Sequence, residues 1–270
     1  MKINKTHSLL FLLGISILIT SCSESLSDTT DGRLRYWIST LSSDEFEGRA
    51  PGTEGGQLTK NFISKTFQDL TLDPVNGSYF LDVPTSEITL KDSSYLTLSF
   101  RGNDRKMITG DEVVFWTKQA REYRKIRDSE VVFVGYGIVA PEYDWNDYEG
   151  IDVKGKTVVI LVNDPGFATR KLRLFNGRSM TYYGRWTYKF EEAARQGAAA
   201  AIVIHEEEPA AYPWSVVENS WQGPQLDLQR DDLGADRVIL EGWIRDSTLN
   251  DVLNFTGFNY DSLKEIALEK

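Results

Sequence analysis

Thiols and imidazoles are almost missing from this chain of 270 residues, which holds one cysteine and two histidines. A single cysteine cannot close an internal disulfide, so no such cross-link is expected to hold the fold together. With only His7 and His205 available, an imidazole-built metal site has few donors. Positive charge is also short: 30 Lys and Arg stand against 40 Asp and Glu, for a net charge of −10. Phosphate contacts need clustered basic side chains, so nucleic acid is excluded as a partner. The apolar run Leu9 to Ile19 is too short for a bilayer span, which takes about 20 residues. Internal repeats and low-complexity tracts are lacking as well.

What is present at the start is a targeting pattern. Lys2 and Lys5 precede the apolar run, which ends in Ile19-Thr20-Ser21-Cys22. A short basic region, an apolar core and small residues before a cysteine suit a lipoprotein signal peptide over residues 1–21. Cys22 would then carry the lipid, and the chain would be exported and anchored to a bacterial membrane. Acylation would also consume the only thiol and exclude cysteine catalysis. Residues 22–30 are small and polar and fit a flexible tether.

Beyond the tether the periodicity predicts a mixed α/β (α+β) body. Leu34, Trp37, Ile38 and Leu41 make one helical face, and Leu58, Phe62, Ile63, Phe67 and Leu70 make another. Ser42 and Glu45 could form a capping box, and Thr53 is placed to cap the second helix. From Tyr79 to Phe100 apolar residues alternate, as in strands with one wet face. The polar turn Arg101 to Asp104 is where a domain boundary is expected. Val131 to Ile138 and Thr157 to Val162 are aliphatic and β-branched throughout, as in strands buried on both faces. A glycine-rich loop from Asn163 to Ser179, a helix from Thr181 to Gln196 and a strand from Ala198 to His205 complete a βαβ crossover. Gly197 would end that helix. Val238 to Ile244 is a further strand, and two short helices follow, begun by Asp246 or Ser247 and by Asp261 and separated at Gly257.

Four motifs invite functional readings and fail on context. Gly135-Tyr136-Gly137-Ile138-Val139-Ala140 matches a dinucleotide fingerprint, but Pro141 follows and no helical period does. Asp144, Asn146, Asp147 and Glu149 have calcium-like composition without calcium-loop spacing. His205 precedes Glu206, Glu207 and Glu208, but consecutive strand residues point to opposite faces and cannot converge on one ion. No serine lies in a nucleophile elbow.

The stretch GYGIVAPEYDWNDYEGIDVKGKTVVILVNDPG resembles the protease-associated (PA) domain inserted in secreted di-zinc aminopeptidases, metallopeptidase family twenty-eight. The likeness runs through LFNGRSMTYYGRWTYKFEEAARQGAAAAIVIHE and YPWSVVENSWQGPQ and reaches back to LSSDEFEGRAPGTEG. It implies an N-terminal segment of a peptidase domain over 31–100, a β-sandwich-like PA domain over 101–244, and a helical segment over 245–270 leading to the catalytic core. The family's metal ligands would lie beyond Lys270. The resemblance thus implies an aminopeptidase relative with zinc in the full-length protein, while one surviving imidazole, His205, cannot build a two-zinc site. No cofactor and no catalysis are expected of this chain alone.

The resemblance implies a place near a substrate cleft for Arg49 and Thr53, with a plain loop-and-cap role as the alternative. Arg178, Arg185, Trp214 and Trp221 are candidate contacts to peptide substrate or to a catalytic peptidase domain, because arginine and aromatics concentrate at binding surfaces. Tyr183 and Trp186, at helical spacing, are assigned to core. A free-standing lipoprotein module for peptides or glycans is the rival reading, and a catalytic half supplied by another chain is a third. Mass spectrometry of the membrane-associated protein should find a diacylglyceryl thioether on Cys22; an unmodified, soluble product would refute the anchor.

Overall fold

Val131–Phe133 and Thr157–Leu161 lie side by side as parallel strands in the computed structural model, which describes residues 30–91 and 94–269. Cys22 and His7 lie outside the described residues. The fold is mixed α/β, and the chain divides into two units, one ending at Asp82 and one beginning at Val83.

In the first unit α1 (Thr30–Leu41) is followed by a 3-10 turn (Asp44–Arg49) and α2 (Glu54–Asp69). Phe46 is buried and meets the edge of Phe62 at 6.0 Å between ring centres. Thr53 caps α2 as expected, its hydroxyl accepting from the Gly56 N–H at 3.1 Å. The expected Ser42/Glu45 capping box does not form. Ser42 and Ser43 instead donate backwards to the carbonyls of Ser39 and Thr40, satisfying acceptors that the end of α1 leaves open. The Arg49 guanidinium serves the same helix end by donating to the Leu41 carbonyl. Gly55 and Gly56 follow from close backbone approach. A Cβ on Gly55 would stand 2.1 Å from the Phe46 carbonyl oxygen, and one on Gly56 2.3 Å from that of Ala50.

The second unit opens with β1 (Thr85–Ile88), β2 (Leu96–Phe100), β3 (Asn103–Met107) and β4 (Val113–Trp116). β2 and β3 are an antiparallel hairpin. The boundary expected near Arg101 therefore falls in a hairpin turn, and the chain divides earlier. Then come β5 (Val131–Phe133), β6 (Val139–Ala140), β7 (Trp145–Asn146) and β8 (Thr157–Leu161). The short α3 (Pro165–Thr169), α4 (Trp186–Arg195) and β9 (Ala200–His205) follow. After α5 (Glu207–Ala210) and α6 (Trp214–Ser220), β10 (Gln225–Leu228) pairs antiparallel with β1. β11 (Leu240–Arg245), α7 (Asp246–Thr256) and α8 (Tyr260–Ile266) complete the described chain.

A five-stranded sheet in the order β4-β11-β9-β8-β5 is the centre of this unit. Its strands are parallel except β4, which pairs antiparallel with β11. Side chains alternate across it. Val158, Ile160, Val203 and Trp243 face a layer that includes Phe190 of α4 and Val217 of α6. Leu161, Ile202 and Ile244 face Leu249 and Val252 of α7. Leu96 and Leu98 of the β2–β3 hairpin, a separate two-stranded sheet, pack on that second side. The βαβ crossover is as expected. Gly197 (φ 80°) ends α4, its N–H bonding the Ala194 carbonyl and the Ala198 N–H that of Ala193.

Several local expectations are corrected. Val131 to Ile138 is a strand for three residues only. β5 is an edge, with Val131 47% exposed, and the chain then turns through Gly135 and Gly137, both at positive φ. The loop from Asn163 to Ser179 contains α3, for which Asp164 is the cap and Pro165 the first residue. The helix expected from Thr181 begins at Trp186, after a 3-10 turn (Tyr182–Gly184). Arg245, whose side chain makes no capping bond to the helix and pairs with Asp111 instead, occupies the cap of α7, and Asn259, rather than Asp261, caps α8.

Gly55→Ala should cost roughly 1–3 kcal/mol through overpacking against the Phe46 carbonyl. Urea denaturation measures it, and an unchanged midpoint would show that the contact can relax.

Candidate functional site

The most constrained polar group is the Lys189 side chain, which is 0% exposed. It lies on α4 three residues after Trp186, on the stripe that turns inward. Its Nζ donates to the Tyr136 carbonyl at 2.6 Å. Burial pulls the ammonium down to about 7, against the upward pull of the Asp147 and Asp164 carboxylates. Asp147 accepts from the Ile138 N–H. The fully buried Asp164 accepts from the N–H groups of Gly166 and Thr181 and from the Thr181 hydroxyl. This network joins the ends of β5 and β8 to α4. Beside it a cavity of about 270 Å³ is lined in part by Tyr136, Asp164, Glu206 and Lys264. Glu206 and Lys264 already pair at 3.1 Å, so the charges there are mutually satisfied.

A second cleft, of about 210 Å³, has a different character. Trp116 ends β4, Trp186 begins α4 and Trp221 follows α6, and the three indoles form its inner wall. Trp221 stacks on Trp116 with planes 5° apart, and Trp186 meets Trp221 edge-on. Thr117, Lys118, Gln225 and Asp227 add polar groups to the lining, with Ile88 and Leu226. Lys118 and Asp227 are 3.8 Å apart and each about a quarter exposed, beyond a direct hydrogen bond. Behind Trp116 lies Glu241 of β11, its register partner. The Trp116 indole N–H donates to one Glu241 carboxylate oxygen at 3.0 Å, and the other oxygen has no partner. Burial pushes this carboxyl up, while Lys118, the indole N–H and Arg237 hold it back. Two residues on along the same face, the Trp243 indole N–H is also buried without a partner.

The candidate contacts scatter. Trp221 lines the cleft. Trp214 does not, because it is buried and its N–H donates to the Gly110 carbonyl; it belongs to the core. Trp186, assigned to core, lines the cleft while packing on Phe190. Arg178 is exposed, pairs with Glu208 at 2.9 Å and lies over the Phe167 ring. Arg185 is exposed at the start of α4. Arg49 and Thr53 complete helix ends in the first unit. His205 is 1% exposed, with Nε2 3.1 Å from the Tyr212 carbonyl oxygen. Burial lowers its pKa. Sequence periodicity could have found Lys189, since 186, 189, 190 and 193 share a helical face. Lys118, Asp227 and Glu241 carry no such signal.

The zinc that the family resemblance implies finds no fitting donor set here. Among the described residues no group of three or more His, Cys, Asp and Glu is arranged to hold a metal ion. None of the described helices is long and apolar enough to cross a membrane. No known family's profile matches the chain, and no curated protein does. Among solved structures, the aminopeptidase from Aneurinibacillus sp. strain AM-1 is similar with a TM-score of 0.30 and 16% identity. The match covers 80% of this chain, which spans 40% of that protein's length.

Lys189 makes stability depend on pH. Its folded pKa is below the usual 10.5, so above pH 7 the unfolded chain binds the proton more tightly than the folded one. Stability therefore rises with pH from 7 towards 9, this group contributing up to about 1.4 kcal/mol per pH unit. Lys189→Met should flatten that slope in urea titrations. An identical slope in the variant would show that Lys189 is not the titrating group.

Proposed function

We propose that this chain is the N-terminal and PA-type portion of an exported, lipid-anchored zinc aminopeptidase, in which it docks on the catalytic domain and shapes the access of peptide substrate. One observation carries the reading. Leu34, Tyr36 and Ile38 of α1 and Ile63 and Phe67 of α2 remain substantially exposed, as do Phe255, Phe258 and Ile266 near the end of the second unit. Apolar faces of this kind call for a cover, and the family resemblance of the surrounding motifs names a peptidase domain as that cover. Zinc and the hydrolytic step would belong to that domain, and Cys22 would hold the assembly at the membrane.

The free-standing lipoprotein module for peptides or glycans is the second reading, and the tryptophan-lined cleft is what favours it. Mixing the purified chain with the catalytic segment of a zinc aminopeptidase separates the two. The docking role predicts a stable complex on size exclusion and, with zinc, hydrolysis of an aminoacyl p-nitroanilide above the rate of the segment alone. No complex and no rate gain would favour the free-standing module. Two tightly held zinc ions and peptide trimming by the chain alone would overturn the non-catalytic role.

A further inference from the structure

The cleft of Trp116, Trp186 and Trp221 is physically unlike the other cavity. At the Tyr136 cavity, Glu206 and Lys264 form a direct ion pair and Asp164 accepts three hydrogen bonds. In the tryptophan cleft the polar groups keep spare capacity. Asp227 accepts the Leu228 N–H with one oxygen, and its other oxygen stands 3.8 Å from the Lys118 ammonium. Gln225 spends its amide N–H groups on the carbonyls of Ser220 and Gln222, which leaves its amide oxygen to accept. Behind the indole wall, one Glu241 oxygen and the Trp243 N–H are buried without partners.

The charges narrow the ligand. A cation drawn to the indoles would meet Lys118, and an anion drawn to Lys118 would meet Asp227. A wholly apolar group would strip water from both without replacing its hydrogen bonds, which is costly. The fitting ligand is neutral, has one flat apolar face for the indoles, and carries groups that both donate and accept at its edge. A pyranose ring has that construction, with C–H bonds on its faces and hydroxyls round its rim. A hydroxyl can accept from Lys118 while donating to Asp227 or Gln225, bridging the 3.8 Å gap.

We propose that the cleft between Trp116, Trp186, Trp221 and the Lys118–Asp227 pair is a saccharide-binding site for one pyranose unit. It holds whether the chain works alone or beside a peptidase domain, so it does not rest on the peptidase reading. In an aminopeptidase it would hold a glycan chain, or a sugar-bearing peptide, against the protein outside the site of hydrolysis.

Titration of the full chain with a panel of methyl hexopyranosides and short oligosaccharides, followed by calorimetry and by the indole N–H resonances, tests this. Saturable binding should move the Trp116 and Trp221 resonances. Trp221→Ala should weaken it by roughly tenfold or more, the effect of removing a central aromatic anchor. Lys118→Ala and Asp227→Asn, at partly exposed positions, keep the test valid if the tryptophan variant fails to fold. Each should also reduce affinity, while Tyr123→Ala on the exposed surface should not. No saturable binding of any saccharide overturns the proposal. So does binding that all three cleft variants leave unchanged, or binding of tyrosine- and tryptophan-containing peptides with no binding of sugars.

Discussion

An ammonium group placed in a protein interior must find acceptors, and in this fold the acceptor is the carbonyl of Tyr136. That one bond dictates the path of the chain after β5. To present the carbonyl inward, the backbone leaves the sheet after Phe133 and turns through Gly135 and Gly137 in the left-handed region. Gly137 has no room for a side chain, since a Cβ would lie 2.9 Å from Ile160. The Asp147 carboxylate then fixes the Ile138 N–H, and the Tyr188 hydroxyl, next to Lys189, bonds Val139. The acidic and aromatic loop that resembles a calcium site or a nucleotide fingerprint is thus a scaffold around a buried lysine. Its shortened β5 is a direct result.

The alternation of side chains across the sheet decides where ligand chemistry can gather. Trp116, Glu241 and Trp243 fall on the face shared with α4 and α6 because β4 and β11 pair with Glu241 opposite Trp116. A slip of β4 by one residue against β11 would send Trp116 to the α7 side, away from Glu241 and Trp243. The polar groups come from elsewhere: Lys118 from the exit of β4, Gln225 and Asp227 from β10, which β1 supports. The cleft is therefore assembled from segments far apart in the chain, on a register fixed by the core.

That assembly explains what was legible in the sequence. Thr157–Leu161 and Ala200–His205 stood out because fully buried parallel strands are continuous apolar runs, and Gly197 and Thr53 because end signals are local. The Ser42/Glu45 box failed for a local reason, since the nearby end of α1 offered open carbonyls. The strand run to Ile138 failed for a distant one, the demand of Lys189. Trp214 and Trp221 look alike in sequence, and only the fold shows that Gly110 takes the first into the core. Lys118, Gln225 and Asp227 are ordinary surface residues until β10 lies across from β4.

The order of the sheet also governs when it can exist. β11 lies between β9 and β4, and the hydrogen bond from Trp116 to Glu241 spans 125 residues of chain. In chain order, β5, α4 and β9 can assemble with β8 before β11 is available, while β4 waits for a neighbour that comes later. Its four residues are all buried in the finished protein, so until β11 arrives they are apolar residues with open backbone groups. Non-local pairing of this kind slows closure and leaves the nascent chain open to wrong partners. The strand that completes the sheet is thus also the one whose lateness makes biogenesis hazardous.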